Sequence, residues 1–517
     1  MNLKIGVDVG STYTDGVVID DSGRILHNAK EMTTFDITTG IVGVLGSLAT
    51  KLGSDKDSLS AVMIGTTHGI NALSQVKSLN RIAVVRISLP SGSGIPPFAE
   101  WPPDLREYLS SHVIMVHGGH EYTGDEISEL DENALKSFFR SIKGKVDAVS
   151  ITSVFSFVNP DHELRAGAIA RDILGDDIFI TLSHNISSLG LLERENSTII
   201  NSAIEKVMRN VISATRKTLG KLFPERVKLF FSQNDGTVAE ENFAIKFPVF
   251  TVAGPISNSV RGAFVLTGIE DAVVLDIGGT TTNCGVLTKG YPRESSNPVE
   301  ISGVKTNFRM PDIIAIPLGG GTTINGFNVG PVSVGYELPQ KGLSFGGDIL
   351  TTTDVSLALK EHNFGNTDYR KVLSRNNREY LDKVYEIMSG KWFEVFDRMK
   401  SSNTDVPLIA VGGGSFMIPP GFPGASGIIV PDGAEYANAI GAATSQVGSV
   451  IEKAFSYDTV QRNRAIEETI SAAKDNAELA GADRSTLEVK DIEEVSMPYL
   501  PGNSVKVSVR VIGKMRL

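Results

Sequence analysis

One short pattern occurs twice in the chain, and this repetition constrains the fold of the 517 residues more than any other feature. The first copy is Asp8-Val9-Gly10-Ser11-Thr12-Tyr13-Thr14-Asp15; the second is Asp276-Ile277-Gly278-Gly279-Thr280-Thr281-Thr282-Asn283. An apolar run precedes each copy, Ile5 to Val7 and Val273 to Leu275. Another follows, Val17 to Ile19 and Cys284 to Leu287. Strand, glycine-hydroxyl turn, strand reads as a β-hairpin. Two such hairpins predict two similar lobes that face each other.

The turn residues suit a phosphate. Glycine lets the backbone turn sharply and approach a ligand closely. Backbone N–H groups then point at the anion, and hydroxyls add donors. Gly10, Ser11, Thr12 and Thr14 fill these roles in the first turn; Gly278, Gly279, Thr280, Thr281 and Thr282 fill them in the second. Asp8 and Asp276 end the strands before the turns. A carboxylate beside a phosphate needs a cation between them, and Mg²⁺ takes one or two carboxylates together with phosphate oxygens. One turn alone reads as an ordinary hairpin with Asp as a turn former; two turns in the same order favour a phosphate site with Asp8 and Asp276 at the metal.

A third glycine turn, Gly412-Gly413-Gly414-Ser415, follows the apolar run Leu408 to Val411. The stretch Ala434 to Ala443 after it is rich in small residues and is read as leaving a flat slot for a purine. Leu318-Gly319-Gly320-Gly321-Thr322-Thr323 is a further candidate for lining a cleft. Leu408 to Val430 carries no charge but holds six Gly and three Pro, so it reads as strand, turn, loop and strand rather than a membrane span.

Between the repeats, Ile200, Ile204, Val207, Val211 and Ala214 fall on one helical face. The helix predicted from about Leu191 to Phe223 is a candidate link between lobes. The chain divides into an N-terminal lobe over residues 1–195, a C-terminal lobe over 196–455, and a tail over 456–517 that packs back on the lobes. The tail carries a charged helical segment and then alternating Val505, Val507, Val509 and Val511, a strand. The Pro-rich stretch Pro90 to Pro103 is a lid or a surface connection.

The net charge of −11 argues against nucleic acid and anionic membranes, which need basic surface. One cysteine, Cys284, excludes an intrachain disulfide, and with no signal peptide a reducing cytoplasm is expected. Cys284 itself reads as buried strand. His112, His117 and His120 lie close enough in sequence to raise a transition metal, although their spacing matches no known ligand set. Arg194 and Glu195 act on a substrate carbonyl or anchor the helix by ion pairing.

The order of two phosphate-like turns and a later glycine turn resembles the acetate/sugar kinase, Hsp70 and actin superfamily. More narrowly, the chain resembles the hydantoinase A / 5-oxoprolinase family. The resemblance rests on Gly6 to Asp15, on Gly65-Thr66-Thr67-His68-Gly69-Ile70-Asn71-Ala72-Leu73, on Leu192-Glu193-Arg194-Glu195-Asn196-Ser197-Thr198, on Ala253-Gly254-Pro255 and on Asp276 to Thr280. It departs at Asn283, where the family often has Asp, and at the Pro-rich stretch, where longer members have Gly-Phe-Arg-Asp. The resemblance implies an α/β fold of two ribonuclease H-like lobes around a nucleotide cleft, with ATP and Mg²⁺ between Gly10 and Gly279 and adenine near Gly412 to Ser415. It implies ATP-dependent opening of a cyclic amide such as a hydantoin, oxoproline or lactam. Asp8, Asp15 and Asp276 would be catalytic, with Asp15 orienting the transferred group. His120, in a family-like turn, would face substrate with Arg194 and Glu195. A second subunit or an oligomer is also implied. The alternatives are an ATP-dependent carboxylase-type subunit and a nucleotide-gated regulatory or binding subunit.

Overall fold

The computed structural model describes residues 2–10, 13–32, 37–187, 189–498, 500 and 502–517. In the first sheet, strand Leu3–Val9 pairs antiparallel with Tyr13–Ile19, which pairs antiparallel with Ile25–Met32. On its other side Leu3–Val9 runs parallel to Leu59–Gly65, and that strand runs parallel to Lys228–Ser232. The second sheet repeats the plan. Ala272–Ile277 pairs antiparallel with Thr282–Thr288, whose far edge is taken by Ile313–Ile316 and Tyr291–Pro292. Its other side is parallel to Val406–Val411, followed by Ala425–Ile429. The inner parallel strands are Val- and Ile-rich and buried on both faces, as sheets covered by helices on both sides require. The repeated hairpin thus opens two sheets of the same strand order and sense, the paired ribonuclease H-like cores of the actin-like ATPase fold.

Sheet membership does not follow the divisions at residues 195 and 455. The first sheet has nine strands, extended past Lys228–Ser232 by Val238–Glu240, Val447–Ser456, Ser504–Gly513 and Glu488–Ser496. The tail is therefore part of the first lobe. Val507, Val509 and Val511 are fully buried in its core beneath helix Arg462–Leu479. A four-stranded, all-parallel sheet is inserted between Leu59–Gly65 and Lys228–Ser232. Its order is Val113–His117, Ile82–Leu89, Ala148–Ser153, Phe179–Leu182.

Helix Leu191–Leu222 forms as the periodicity predicts, but it does not link the lobes. It runs unbroken through Glu195 and returns the chain to Lys228–Ser232 in the same sheet, because its apolar side is buried against that lobe's own cores. Helix Gly254–Thr267 makes the passage to the second sheet, and Gly268 closes it in the left-handed conformation (φ 70°). This helix crosses helix Ala437–Thr444 at backbone contact. A Cβ on Gly262 would collide with the Ala437 carbonyl, and one on Gly441 with the Asn258 carbonyl. Gly6 meets the Ala439 carbonyl in the same way, so helix Ala437–Thr444 lies directly on strand Leu3–Val9.

The Pro-rich stretch is tied down rather than lid-like. Phe98 and Trp101 are buried in the core, and the Trp101 indole donates to Asn196 Oδ1 at 2.7 Å. Leu408 to Val430 forms strand, turn and strand. Among the described residues, no helix is long and apolar enough to cross a membrane.

Candidate functional site

The two hairpins make equivalent turns. Gly10 N–H donates to Tyr13 O at 3.0 Å, and Gly278 N–H donates to Thr281 O at 2.9 Å. The register then sets Asp8 opposite Asp15 and Asp276 opposite Asn283. Ser11 and Thr12 lie outside the described residues.

Asp8 and Asp276 come together at the crossing of the two helices. Asn438 Nδ2, on helix Ala437–Thr444, donates toward Asp8 Oδ2 at 3.2 Å and Asp276 Oδ2 at 3.4 Å. Both carboxylates are buried. Burial pushes the Asp8 carboxyl well above its ordinary value, Asp15 and Asp276 add to this, and the Asn438 hydrogen bond and Lys30 oppose it. Burial likewise raises Asp276, against hydrogen bonds from Asn438 and Ser259. Gly65 makes room at Asp8: a Cβ there would lie 2.6 Å from Asn258 Nδ2 and 3.1 Å from Asp8 Oδ1. Asp8 Oδ1, Asn438 Oδ1 and both polar atoms of the Asn258 carboxamide are buried without hydrogen-bond partners.

The other glycine turns close on the second hairpin. Gly320 and Gly321 N–H donate to Gly278 O and Gly279 O at 2.9 and 2.7 Å. Gly412 (φ 85°) sits against Asp276, where a Cβ would fall 2.5 Å from Oδ1, and Gly414 N–H donates to Ile277 O at 2.8 Å. Gly413 has open space around its Cα.

Three sequence expectations change. The small residues of Ala434 to Ala443 leave no flat slot: they let the helix meet Gly6 and Gly262 at backbone contact, and that space is filled. Thr282 is buried, its hydroxyl donating to Leu318 O at 2.5 Å and accepting the Trp392 indole N–H at 3.0 Å, so it faces the core. Thr14 is buried against Gly40. Thr281 is exposed and Thr280 half-buried at the turn.

Sequence reading missed Lys30. Asp15 and Lys30 are cross-strand partners, so Asp8, Asp15 and Lys30 form a row across three strands. Lys30 Nζ lies 2.9 Å from Asp15 Oδ1, 5.0 Å from the Tyr13 ring centre and 5.7 Å from that of Tyr436. Burial raises the Asp15 carboxyl and Lys30 opposes the rise. A lysine within an apolar-polar alternation carries no signal of its own; only the pairing of Tyr13–Ile19 with Ile25–Met32 brings it to the turn.

Arg194 and Glu195 anchor the inserted sheet to the long helix. Glu195 pairs with Arg86, whose Nε donates to Oε1 at 2.7 Å, and both side chains are 1% exposed. Arg194 Nε donates to Ser183 Oγ at 3.0 Å and Nη2 to Ser153 O at 2.7 Å. His120 does not meet His112 and His117. It stacks on His162 at 4.3 Å, and among the described residues these two with Glu126 form the only group of three or more His, Cys, Asp or Glu side chains close enough to share a cation. Gly119 N–H donates to His162 Nδ1 at 2.9 Å, so the neutral ring carries its proton on Nε2, facing Glu126 Oε1 at 3.0 Å. That leaves no lone pair on Nε2 for a metal, and the trio supports the loop instead. Cys284 is buried in its strand, where desolvation pushes the thiol above its ordinary value.

Comparisons with known proteins show the family and the fold. Residues 4–174 match the hydantoinase/oxoprolinase N-terminal region, and residues 194–389 match hydantoinase/oxoprolinase. Caprolactamase subunit alpha of Pseudomonas jessenii is 27% identical over 382 residues, covering 69% of this chain and 54% of its own length. Acetophenone carboxylase gamma subunit of Aromatoleum aromaticum is 24% identical over 397 residues, covering 69% and 53%. The chain thus spans about half the length of the curated relatives it matches. The crystal structure of the ATP-dependent caprolactamase from Pseudomonas jessenii superposes with a TM-score of 0.78 over 99% of this chain and 88% of that one, at 19% identity, which shows a shared fold.

Proposed function

The chain belongs to the hydantoinase/oxoprolinase family, and from that premise we propose that it is an ATP-dependent enzyme that activates a cyclic amide for ring opening. The observation that carries this reading is the convergence of Asp8 and Asp276 on Asn438 beneath two equivalent glycine turns. Two buried carboxylates beside unpartnered oxygen and amide groups are costly unless a ligand satisfies them. Their chemistry fits a hydrated divalent cation: hard oxygen donors, few carboxylates, and amides able to bond its waters. Asp8, Asp276 and Asn438 would hold Mg²⁺ there, with Asn258 reaching its water shell. Bound, the ion neutralises charge on the phosphates.

The protein's part is then positioning and charge placement, which dominate phosphoryl transfer. The turn at Gly279–Thr281 would offer backbone N–H groups to phosphate oxygens, and the equivalent first turn is proposed to do the same. Lys30, held by Asp15, adds a cation at the first turn. Gly412–Gly414 line the far side of Asp276, where the nucleoside end of ATP would lie. Transfer of the γ-phosphoryl to the amide carbonyl oxygen breaks its bond to the β-phosphate, and ADP leaves. Water then adds to the activated carbon, and the C–N bond breaks as the ring nitrogen takes a proton and leaves as the amine; the acyl phosphate left on the opened chain is hydrolysed by a second water to carboxylate and phosphate.

Among the described residues, no Ser-His-Asp or Cys-His arrangement stands at this site to activate the water, so a second subunit is part of the proposal; the relatives include enzyme subunits. The test is the purified chain with ATP and Mg²⁺ against hydantoins, 5-oxoproline and lactams, following ADP, phosphate and ring-opened product. Substrate-stimulated formation of at least one equivalent of ADP by the chain supports the reading; none with any cyclic amide overturns it. The carboxylase-subunit reading is supported by a carboxylase relative nearly as similar as the lactamase one. Phosphate release that requires a ketone, and product that requires bicarbonate, would favour it.

A further inference from the structure

A cavity of about 50 Å³ lies at the carboxyl end of strand Lys228–Ser232, away from the Asp8–Asp276 pair in sequence and built by different residues. Asn234, Phe243, Phe250, Arg309, Ser449 and Asn476 line it. Its volume has room for about three to five water-sized groups at ~10–15 Å³ each.

The charges around it do not cancel. Arg309 Nη2 meets Ser508 Oγ at 3.1 Å, Glu294 Oε2 at 3.1 Å and Glu452 Oε1 at 3.6 Å. Glu294 is shared with Arg510, and Glu452 with Lys506. Three cations therefore share two carboxylates. Of the other acids acting on Arg510, Asp491 is paired with Lys289 at 3.6 Å, and Asp235 is offset by Arg261, which is buried and, among the described residues, makes no ion pair. One positive charge is left over. Arg309 Nε and Nη1 are buried with no hydrogen-bond partner, as is Arg261 Nε. Buried guanidinium N–H groups left unmatched are costly.

We propose that this cavity binds a short-chain carboxylate. Arg309 supplies the charge. Ser449 Oγ accepts the Asn476 amide at 2.8 Å, so its own proton is free to donate to a carboxylate oxygen. The Phe243 and Phe250 rings give an apolar wall for a methyl group. The small volume favours an occupant of one or two carbons. The cavity adjoins the turn that carries helix Gly254–Thr267: Asn234 Oδ1 accepts from Ala253 N–H at 2.8 Å and Asn234 O accepts from Ser257 Oγ at 2.5 Å.

Isothermal titration of the full chain, without nucleotide, tests this independently of the catalytic reading. Acetate is compared with chloride at matched ionic strength and with acetamide, its neutral isostere. Saturable acetate binding is expected, with none for acetamide. Arg309→Met abolishes it, and Ser449→Ala weakens it about tenfold, the loss of one hydrogen bond to a charged group. Ser449→Ala leaves the ion pairs intact and decides the matter if Arg309→Met does not fold. Acetate no better than chloride or acetamide, or binding unchanged in Ser449→Ala, overturns the proposal.

Discussion

Asp8 and Asp276, the matching residues of the two repeats, are bridged by a single amide, Asn438 Nδ2, at 3.2 and 3.4 Å. Each carboxylate lies one residue before the end of the first strand of its own hairpin, so the two repeats meet at one half-buried side chain.

Replacing one of these acids removes a charged contact with the proposed metal while relieving a buried carboxylate. Asp276→Asn is expected to weaken Mg-ATP binding about ten- to a hundredfold, the ~1.5–3 kcal/mol of a charge-assisted contact. Its melting temperature in the absence of nucleotide should not fall. Calorimetric titration with Mg-ATP gives the first quantity and a thermal melt the second; unchanged affinity contradicts the assignment.

The same carboxyls predict a pH dependence. Asp8 and Asp276 are both raised in the folded chain, chiefly by burial. A raised carboxyl contributes stability that is fully present below its unfolded value, about 3.9, and that is lost as pH rises through the folded value. Urea unfolding of the nucleotide-free chain should therefore show wild type losing stability relative to Asp8→Asn as pH rises from about 4 toward 8. Parallel pH profiles for the two proteins would contradict the shift.

Lys30 was invisible in the sequence, and its role separates from folding. Lys30→Met should lower kcat/KM for ATP about tenfold or more, because it removes the cation beside the first turn. Lys30 is about a third exposed, so its pair with Asp15 adds only ~0–1 kcal/mol to stability. Steady-state kinetics with a parallel melt checks both halves; a large loss of stability with normal kinetics would make the residue structural.

Arg86 and Glu195 lead to the opposite expectation. Removing one partner of a buried pair leaves an uncompensated charge and costs about 3–5 kcal/mol. Arg86→Met should therefore lower the urea midpoint strongly, while the folded fraction keeps wild-type affinity for Mg-ATP. Lost nucleotide affinity with normal stability would return Glu195 to the list of catalytic candidates.

What was legible in the sequence was local and repeated. The Asp-x-Gly hairpins are contiguous, so their strands, turn and register follow from spacing alone, and their duplication implied two lobes. Helix Leu191–Leu222 was legible for the same reason, through its 3.6-residue apolar face. Its destination was not, because only the pairing of Lys228–Ser232 with Leu59–Gly65 shows which lobe it serves. The tail misled similarly: Ser504–Gly513 reads as a strand, but its partner Val447–Ser456 and their place in the first sheet depend on long-range pairing. At the site, Asp8 and Asp276 announced themselves beside glycine turns. Asn258, Asn438 and Lys30 did not, since each is an isolated polar residue whose meaning comes from what crosses it. The small residues near Ala439 were noticed as permitting close approach, but a neighbouring helix rather than a purine fills the space.

The backbone contact of Gly262 and Gly441 makes the two helices a pivot. Touching main chains can swivel about their point of closest approach, but they cannot slide past each other without prying the pair apart. Asn258 and Asn438 ride on these helices beside that point. Their separation from Asp8 and Asp276 should stay nearly constant while the glycine turns farther out sweep through larger arcs. Opening and closing of the lobes would then change the grip on the proposed nucleotide's phosphates without disassembling the proposed cation seat at the centre of rotation.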